Sequence, residues 1–467
     1  MALEIEKKFL LKPFNIENFL KKAGLNYKSF DISQFYIFDS NTPIRIRKFG
    51  KKYFLTLKKG EGLAREEFER EITKDEFENI LSNYKDIYSL YKTRYKVKTR
   101  KKIYEIDRFE KELKGLFFLE VEFKDEKEAK YFNIDKRFKQ LILEDVTEDI
   151  RFSNFFLAKN QNIPTLQNCE NILNIEEIAP LCSTKEASKT ILHSLFRRAE
   201  YYREKILTGD EDIENLHQIR VSLRKMLVFL KEFKEFFQKK WFETIYSQTK
   251  EVMSSTNKKR DIDVLLSNFD EYLSHLPPSM KDYLKDFKDK LQEIQEKEQK
   301  RILELLKSEK FKNIKNLIDS ISFTAKASFP IIVTSYKIIK KREKKIFFLA
   351  KSIVKNTPAY KYHELRIQFK RIRYLLEFFS RLYQKKETQI FIKNCKNIQD
   401  ILGRHQDLEV QRIHIKEYLK KRDFSFDTIL SVGKLIGDME FEEFKQRKLF
   451  RKLYKKLSKR LKSSIIF

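Results

Sequence analysis

The first residues of the chain that could do chemistry are Glu4, Glu6 and Lys8, at every second position of its opening segment. Because side chains of a β-strand alternate between its faces, two carboxylates and one ammonium then share one face. Carboxylate oxygens suit Mg²⁺ or Mn²⁺, and lysine can bind the phosphates that accompany such an ion. The same spacing is typical of the water-facing side of any antiparallel strand, so these residues alone leave both interpretations open.

Eight segments of residues 1–160 show the two-residue period of β-strands. They lie at about 2–11, 30–38, 43–49, 52–59, 65–72, 91–99, 102–109 and 116–124, with helical patches near 74–84 and 126–143. One face of these segments repeatedly carries charge, at Arg45, Arg47, Lys58, Arg65, Glu67, Glu69, Lys92, Arg94, Glu105, Asp107, Glu120 and Glu122. An open sheet with this face in water explains the pattern without any function. A closed barrel, for which eight strands suffice, would line its wet interior with these charges and could hold metal ions beside a linear polyphosphate.

The segment Glu4-Ile5-Glu6-Lys7-Lys8 resembles the E-x-E-x-K motif of the CYTH superfamily, the triphosphate tunnel metalloenzymes. Later motifs of that family follow in order, as Arg45-Ile46-Arg47, Lys92-Thr93-Arg94, Glu105-Ile106-Asp107 and Glu120-Val121-Glu122. The resemblance implies an eight-stranded antiparallel β-barrel, or tunnel, with flanking helices. It also implies metal-dependent hydrolysis of a triphosphate, with Mg²⁺ or Mn²⁺ as the cofactor.

The same resemblance implies a role for each motif residue. Glu4, Glu6 and Lys8 are expected to be catalytic. Triphosphate is expected to bind to Lys8, Arg45, Arg47, Lys58, Lys92 and Arg94, and the metal to Glu4, Glu6, Glu67, Glu69, Asp107, Glu120 and Glu122. Phosphoryl transfer requires mainly positioning and charge neutralisation, so the lack of His and Cys in residues 1–160 is no obstacle.

A second region begins after a linker. Pro164, Pro180 and several asparagines interrupt the strand pattern over 161–184, and helical periodicity follows from Ser183 onward. We therefore predict a sheet domain at 1–160, a linker at 161–184 and an all-α domain at 185–467. The fold class as a whole is α+β.

The helical region contains an internal repeat. His217, Arg220, Arg224 and Lys225 recur as His363, Arg366, Lys370 and Arg371, each displaced by 146 residues, and Asp261 recurs as Asp407. This regularity indicates two pseudo-symmetric helical bundles, at about 185–330 and 331–467. A basic helix face is often merely solvated, and a lone histidine is usually half-buried beside a neighbour, so one copy alone would carry little weight. The two aspartates are expected to pair with and orient the arginines.

The repeated basic motif and the segment around Gly403 resemble the CHAD domain, a helical domain named for its histidines. This resemblance covers about residues 185–465 and implies binding of inorganic polyphosphate. The residues expected to bind it are His217, Arg220, Arg224, Lys225, His363, Arg366, Lys370, Arg371 and Arg373.

Net charge and cysteine content indicate which partners and which cellular compartment to expect. The chain carries +30, of which +7 falls in residues 1–160 and +23 in the remainder, so the helical region should attract polyanions. Its three cysteines, Cys169, Cys182 and Cys395, show no metal-binding spacing, and their odd number favours a reducing compartment. With no signal peptide and no long apolar run, we expect a cytoplasmic protein without membrane contact.

The leading hypothesis is a cytoplasmic triphosphatase that converts tripolyphosphate to diphosphate and phosphate and carries a polyphosphate-binding helical domain. One alternative is a polyphosphate-binding scaffold without catalysis; another is hydrolysis of an organic triphosphate such as thiamine triphosphate. Nucleic acid is not the expected partner, because the basic stripes lack interleaved exposed aromatics. The oligomeric state is left open.

Overall fold

The structure is a computed structural model of the chain. It describes residues 2–37, 44–59, 64–84, 86–99, 102–165, 175–274, 276–353, 357–383, 386–420 and 424–461. Within these ranges only the backbone is described at 2–3, 58–59, 64–66, 286, 359, 386–387 and 454–461.

The N-terminal region is one antiparallel sheet. Its strands are β1 Ala2–Leu11, β2 Tyr27–Ile37, β3 Ile44–Phe49, β4 Lys52–Lys59, β5 Ala64–Ile72, β6 Ile87–Lys98, β7 Ile103–Phe109, β8 Phe117–Phe123 and β9 Ile142–Asp145. The spatial order is β5-β4-β3-β2-β6-β7-β8-β1-β9, and β1 also pairs with β5. This last pairing covers four residues of each strand and joins the two ends of the eight-strand series. The eight predicted strands are therefore present, and the short β9 is an addition.

Helices account for most of the remaining chain. Those before the linker are α1 Ile16–Lys22, α2 Lys74–Asn83, α3 Glu126–Lys130, α4 Lys136–Lys139 and α5 Asn154–Asn160. Those after it are α6 Thr184–Leu207, α7 Ile213–Glu232, α8 Lys239–Ser255, α9 Asn257–Ser267, α10 Phe269–Ser274, α11 Pro278–Lys281, α12 Tyr283–Lys307, α13 Glu309–Asp319, α14 Ile331–Lys351, α15 Ala359–Phe378, α16 Lys386–Lys420 and α17 Phe426–Leu461. Short 3₁₀ turns lie at Lys111–Leu113, Ile150–Phe152, Ile175–Glu177, Lys234–Phe236 and Ala325–Ser328.

The sequence repeat is also a repeat of helices. Helices α7 and α15 have equal lengths, and both their first and last residues differ by the same 146 positions as the motif. The second copy fuses into one helix, α16, what the first copy divides into α8 and α9 at Thr256. The sequence marks this difference, because Ser254-Ser255-Thr256 stands where the later copy has Asp400-Ile401-Leu402 before Gly403 and its helix continuation.

An apolar core runs from the sheet into the helical region. The buried side chains of Leu116 and Phe118 belong to the same contact cluster as those of Ile191 and Val333. At Gly115, which has φ +100°, a Cβ atom would come within 2.7 Å of Val333 Cγ1, so glycine allows this close approach. The two regions are therefore packed directly on each other.

Two further observations bear on the predicted setting. Of the helices in the described ranges, none is both long and apolar enough to cross a lipid bilayer. Cys182 is disulfide-bonded to a partner outside the described residues, whereas Cys395 is a buried free thiol. The disulfide does not agree with the argument for a reducing compartment, and cytoplasmic location stays a prediction.

Candidate functional site

The charged strand faces meet around one cavity of about 1080 Å³. In the antiparallel register Glu6 lies opposite Glu122 and Lys8 lies opposite Glu120. Residues opposite each other in a sheet project to the same face, so these pairs share the strand interior. The predicted residues that border the cavity are Glu4, Glu6, Lys8, Arg45, Arg47, Glu67, Glu69, Lys92, Arg94, Glu105, Glu120 and Glu122.

Three cations (Lys8, Lys92 and Arg94) and three carboxylates (Glu105, Asp107 and Glu120) form a buried ion-pair network, in which Arg94 also donates to Glu105. The Lys92 ammonium lies 2.5 Å from Asp107 Oδ2, and Arg94 donates to both oxygens of Asp107 at 2.7 Å. Arg94 also donates to Glu120, whose second oxygen lies 3.1 Å from Lys8 Nζ. Asp107 is 0% exposed and does not border the cavity. It therefore holds Lys92 and Arg94 from behind.

Charge in this network is balanced internally. Burial alone would raise the pKa of Glu120, but Lys8, Lys92 and Arg94 hold it well below its usual range. Burial lowers the pKa of Lys92, with Asp107 opposing the change. Burial likewise disfavours the charged form of Arg94, but Asp107 and Glu120 outweigh it and raise the pKa of Arg94. Arg94 and Glu120 are thus both ionised at neutral pH.

A second group of ion pairs lies on β3, β4 and β5. Arg45 Nη2 lies 3.1 Å from Glu67 Oε1, and Arg47 Nη2 lies 2.8 Å from Glu69 Oε2. Thr56 donates a hydrogen bond to Glu69 at 2.9 Å and accepts one from Arg45 at 3.0 Å. Among the described residues, the buried Nε atoms of Arg45 and Arg47 have no hydrogen-bond partner. These two guanidinium groups therefore retain donors for an anion.

Glu4, Glu6 and Glu122 form a group of carboxylates beside Glu105, which itself pairs with Arg94 and Lys96. Burial raises the pKa of Glu122, and repulsion from Glu105, Glu4 and Glu6 raises it further. This donor set, made only of oxygens, fits a hard divalent cation, which would relieve the repulsion. As the side chains of the described residues stand, no three acidic, histidine or cysteine groups lie close enough together to hold a metal ion.

The other end of the strand interior is apolar. Leu10, Leu90, Phe109 and Phe118 follow the charged residues on the same strand faces, and each is at most 3% exposed. Phe152 packs against Phe118 with ring centroids 6.1 Å apart. The charged cavity thus has an apolar floor.

Several residues at the cavity were missed in the sequence, among them the uncharged Gln34 and Tyr36 and the charged Lys96, Glu148 and Lys159. Gln34 and Tyr36 lie opposite Arg47 and Arg45 on β2, and residues 146–160 cover part of the rim. Burial raises the pKa of Tyr36, with Arg45 and then Lys8 opposing the change. Strand register could have found Gln34 and Tyr36. The side chains of two residues singled out in the sequence, Lys58 and Arg65, lie outside the described part of the chain.

The helical region brings the two basic stripes together. The pKa of Lys370 is lowered to about 7, first by burial and then by the nearby charges of Arg224 and Arg366. Asp407 opposes this change. Burial and the adjacent Arg224 lower the pKa of Arg220 to about 10. Cations from α7 and α15 thus repel one another across the repeat, which makes one cluster from two sequence motifs. We call Arg220, Arg224, Arg366 and Lys370 the helical basic cluster.

Two of these arginines occupy different surroundings. Arg220 Nη1 donates to Met253 O at 3.2 Å and also to Thr256 Oγ1, at the break between α8 and α9. Arg366 instead lies beside Gly403, where a Cβ would be 3.7 Å from Nη2. Of the described side chains, none accepts a hydrogen bond from the buried Nε of Arg366.

Other residues predicted to bind polyphosphate are engaged elsewhere. Lys225 Nζ lies 2.9 Å and Arg373 Nη1 2.7 Å from the Glu377 carboxylate. Arg371 Nη1 lies 3.7 Å from Glu232. These three cations therefore pair with carboxylates, whereas Arg373 also lowers the pKa of Lys370 and so lies beside the helical basic cluster.

The two motif histidines also differ in their surroundings. His363 Nδ1 lies 2.6 Å from Gln406 Oε1, whereas burial and nearby arginines lower the pKa of His217. His414, which belongs to no sequence motif, lies 3.9 Å from Asp261. Burial raises the pKa of Asp261, and His414 opposes the change.

These features define a class of protein. Residues 2–153 match the family model described as "CYTH domain", and residues 190–416 match the one described as "CHAD domain". The chain belongs to the CYTH family and carries a CHAD domain after its CYTH domain.

Its curated relatives are similar to the CYTH part. A protein of Acetivibrio thermocellus named inorganic triphosphatase is 34% identical over 162 residues, covering 34% of this chain and 96% of the relative. One of Nitrosomonas europaea with the same name is 34% identical over 158 residues, covering 33% and 96%. A solved inorganic triphosphatase structure is 30% identical and covers 35% of this chain and 98% of its own, with a TM-score of 0.26. The CHAD domain structure from Ricinus communis is 22% identical and covers 58% and 91%, with a TM-score of 0.49.

Proposed function

We propose that the CYTH domain hydrolyses inorganic triphosphate to diphosphate and phosphate, with water cleaving one phosphoric anhydride bond. The observation that carries this proposal is one cavity bordered by the five predicted cations Lys8, Arg45, Arg47, Lys92 and Arg94 and by the carboxylates Glu4, Glu6 and Glu122. Pure anion binding would not need the carboxylates. The names of the curated relatives support the same reaction.

In this proposal the cations bind the phosphate oxygens. Arg45 and Arg47 offer their unpaired Nε donors on one wall, while Lys8, Lys92 and Arg94 offer charge on the other. Phosphoryl transfer depends mainly on positioning and charge neutralisation, which these groups provide. Asp107 and Glu120 then act by keeping Lys92 and Arg94 oriented, rather than as the first choice for metal ligands.

Glu4, Glu6 and Glu122 are the residues we propose to hold Mg²⁺ or Mn²⁺, with Glu67, Glu69, Asp107 and Glu120 kept as further candidates from the sequence. When bound, such an ion neutralises phosphate charge and activates water at neutral pH. The raised pKa of Glu122 supports this assignment, because a divalent cation favours the ionised carboxylates that now repel one another.

The apolar floor favours a short chain that enters by one end. Leu10, Leu90, Phe109 and Phe118 offer no partner to a charged phosphate, so a long polyphosphate could not thread past them. This shape supports triphosphate over long-chain polyphosphate as the substrate of the sheet domain.

Phosphate release from tripolyphosphate tests the proposal, measured with Mg²⁺, Mn²⁺ or EDTA and beside ATP, thiamine triphosphate and long-chain polyphosphate. We expect metal-dependent turnover of tripolyphosphate, reduced at least ~100-fold in Glu6→Gln. The control is Glu71→Gln, because Glu71 is exposed and pairs with Lys52 outside the cavity lining. Tight binding without turnover of any substrate would support the non-catalytic scaffold instead.

A second candidate is an organic triphosphate. Phe49 and Phe54 border the cavity, and the Arg47 guanidinium lies 5.6 and 5.4 Å from their ring centroids. Such rings could stack on a flat organic group. Preference for thiamine triphosphate or ATP over tripolyphosphate, lost in Phe49→Ala, would favour this candidate.

For the CHAD domain we propose binding of inorganic polyphosphate at the helical basic cluster. Repulsion among Arg224, Arg366 and Lys370 is relieved when an anion binds, and Arg366 Nε is available to donate. Polyphosphate carries about one charge per phosphate, so affinity should fall steeply with salt. His217, His363, Lys225, Arg371 and Arg373 remain candidates at the edges.

Binding of labelled long-chain polyphosphate over a salt series tests this second site. We expect Arg366→Ala with Lys370→Ala to weaken binding at least ~10-fold, while the exposed pair Lys239→Ala with Lys240→Ala changes it less than ~2-fold. Duplex DNA that displaced polyphosphate at equal charge concentration would contradict the proposal.

A further inference from the structure

Helix α17 presents an apolar stripe to solvent that nothing in the proposed function uses. Its side chains are Phe426, Ile429, Leu430, Phe441 and Phe444, which are 76, 49, 52, 62 and 65% exposed. At 100° per residue they all fall within about 60° of one line along the helix. The opposite face packs on α16 and on α12.

Two glycines lie at the centre of this stripe. A Cβ atom at Gly433 or Gly437 would have nothing within 4 Å among the described residues. The helix surface therefore has a shallow depression between two groups of large apolar side chains. By itself this depression would not identify a partner.

The spacing of the stripe identifies one, because its positions mirror about position 435, with the exception of Leu430, whose mirror position holds Glu440, an ion-pair partner of Arg412. Phe426 and Phe444 stand nine residues to either side, Ile429 and Phe441 six, and Gly433 and Gly437 two. A twofold axis at position 435 would set two α17 helices antiparallel. Phe426 of one copy then lies at the height of Phe444 of the other, and Gly433 at the height of Gly437.

The exposed area is sufficient for such a contact. A phenylalanine buries about 150–250 Å², so the three exposed rings alone offer roughly 400 Å² per copy. Two copies with Ile429 and Leu430 included approach the roughly 1,000 Å² expected of a specific interface. A patch of this size is also at the upper end for the surface of a monomer.

We propose that α17 is a homodimer interface in which two copies of this chain pack antiparallel about position 435. The contact is isologous, so each copy contributes the same stripe and the assembly closes at two. The glycines let the helix backbones approach, and the phenylalanines at each end cover the second copy's stripe.

Sedimentation velocity of the full chain over a concentration series tests the interface. We expect twice the chain mass of 56.7 kDa, and the monomer mass for Phe441→Glu with Phe444→Glu. The control is Phe348→Glu, because Phe348 on α14 is 75% exposed and lies outside the stripe. Circular dichroism and phosphate release check that each variant is folded; if the double variant is not, Gly433→Arg replaces it.

The orientation is tested by cysteine cross-linking. In the antiparallel contact two copies of residue 426 lie about 27 Å apart along the helix, because each residue rises 1.5 Å. Phe426→Cys should therefore cross-link only when mixed with Phe444→Cys, and neither variant with itself. A chain that stays monomeric at all concentrations, a dimer that survives the double glutamate variant, or cross-linking of Phe426→Cys with itself would each overturn the proposal.

Discussion

The two charged regions of the molecule are built on opposite rules. In the sheet cavity the cations have carboxylate partners of their own, as Lys92 and Arg94 have in Asp107. In the helical basic cluster Arg224, Arg366 and Lys370 mainly face one another. The comparison teaches that a paired site holds its shape without a ligand, whereas a cluster of like charges is under repulsion until an anion arrives.

The largest expected effect comes from breaking the pairing in the sheet. Asp107→Asn leaves Lys92 and Arg94 buried with too little negative charge, so we expect a loss of about 3–5 kcal/mol in the free energy of unfolding. Urea denaturation followed by circular dichroism measures this loss. Glu71→Gln removes an exposed ion pair with Lys52 and should change stability by less than ~0.5 kcal/mol. Equal effects in the two variants would contradict the role given to Asp107.

The next largest effect is expected from removing the metal, which should weaken binding at the sheet cavity but not at the helical basic cluster. The carboxylates around Glu122 repel an anion unless a cation neutralises them, so EDTA should weaken binding of a non-hydrolysable triphosphate analogue at least ~10-fold. Polyphosphate binding to the helical basic cluster should change less than ~2-fold under the same conditions, because Arg366 and Lys370 need no metal. Calorimetric titration gives both affinities. Metal-independent binding of the analogue would remove the distinction.

The smallest expected effect is a pH dependence at Lys370. Its pKa of about 7 lies below the ordinary value for lysine, so between about pH 7 and 10 the unfolded chain binds more protons and stability rises with pH. Lys370→Met should flatten this rise and add roughly 1 kcal/mol of stability at pH 6. Denaturation at a series of pH values tests both statements. The charged groups that face Lys370 are Arg224, Arg366, Arg373 and Asp407.

The pH dependence of polyphosphate binding is a second test of the titration of Lys370. As Lys370 loses its proton above pH 7, affinity should fall, by roughly threefold between pH 7 and 9. Lys370→Arg keeps its charge over this range and should bind with little change. A wild-type affinity that does not vary with pH would show that Lys370 is not part of the anion site.

The strand alternation explains why so much of the cavity could be predicted. Charged residues at every second position, such as Glu4 and Glu6, need a polar interior, and the register of β1 with β8 provides it. The short β9 and the early starts of β2 and β6 were missed, because their pairing depends on neighbouring strands. Neutral residues such as Gln34 were missed because alternation marks a face only where charge makes it visible.

Two features could not be read from the sequence: how deeply each charged side chain is buried, and that the two basic stripes meet. Asp107 has the same spacing as its neighbours, yet it is fully buried against Lys92 and Arg94 and lies away from the cavity lining. The repeat predicted two basic stripes, and its offset matches the bounds of α7 and α15. That Arg224 would meet Arg366 and Lys370 depends on how the helices pack, which their separate periodicities do not contain.

The continuous apolar core has a consequence for heat and for truncation. Because Leu116 and Phe118 of the sheet share their contacts with Ile191 and Val333 of the helices, neither region can melt without uncovering apolar surface of the other. Calorimetry of the intact chain should therefore trace one cooperative peak rather than two. A gene cut after residue 160 should yield a sheet with an exposed apolar flank that is prone to aggregation.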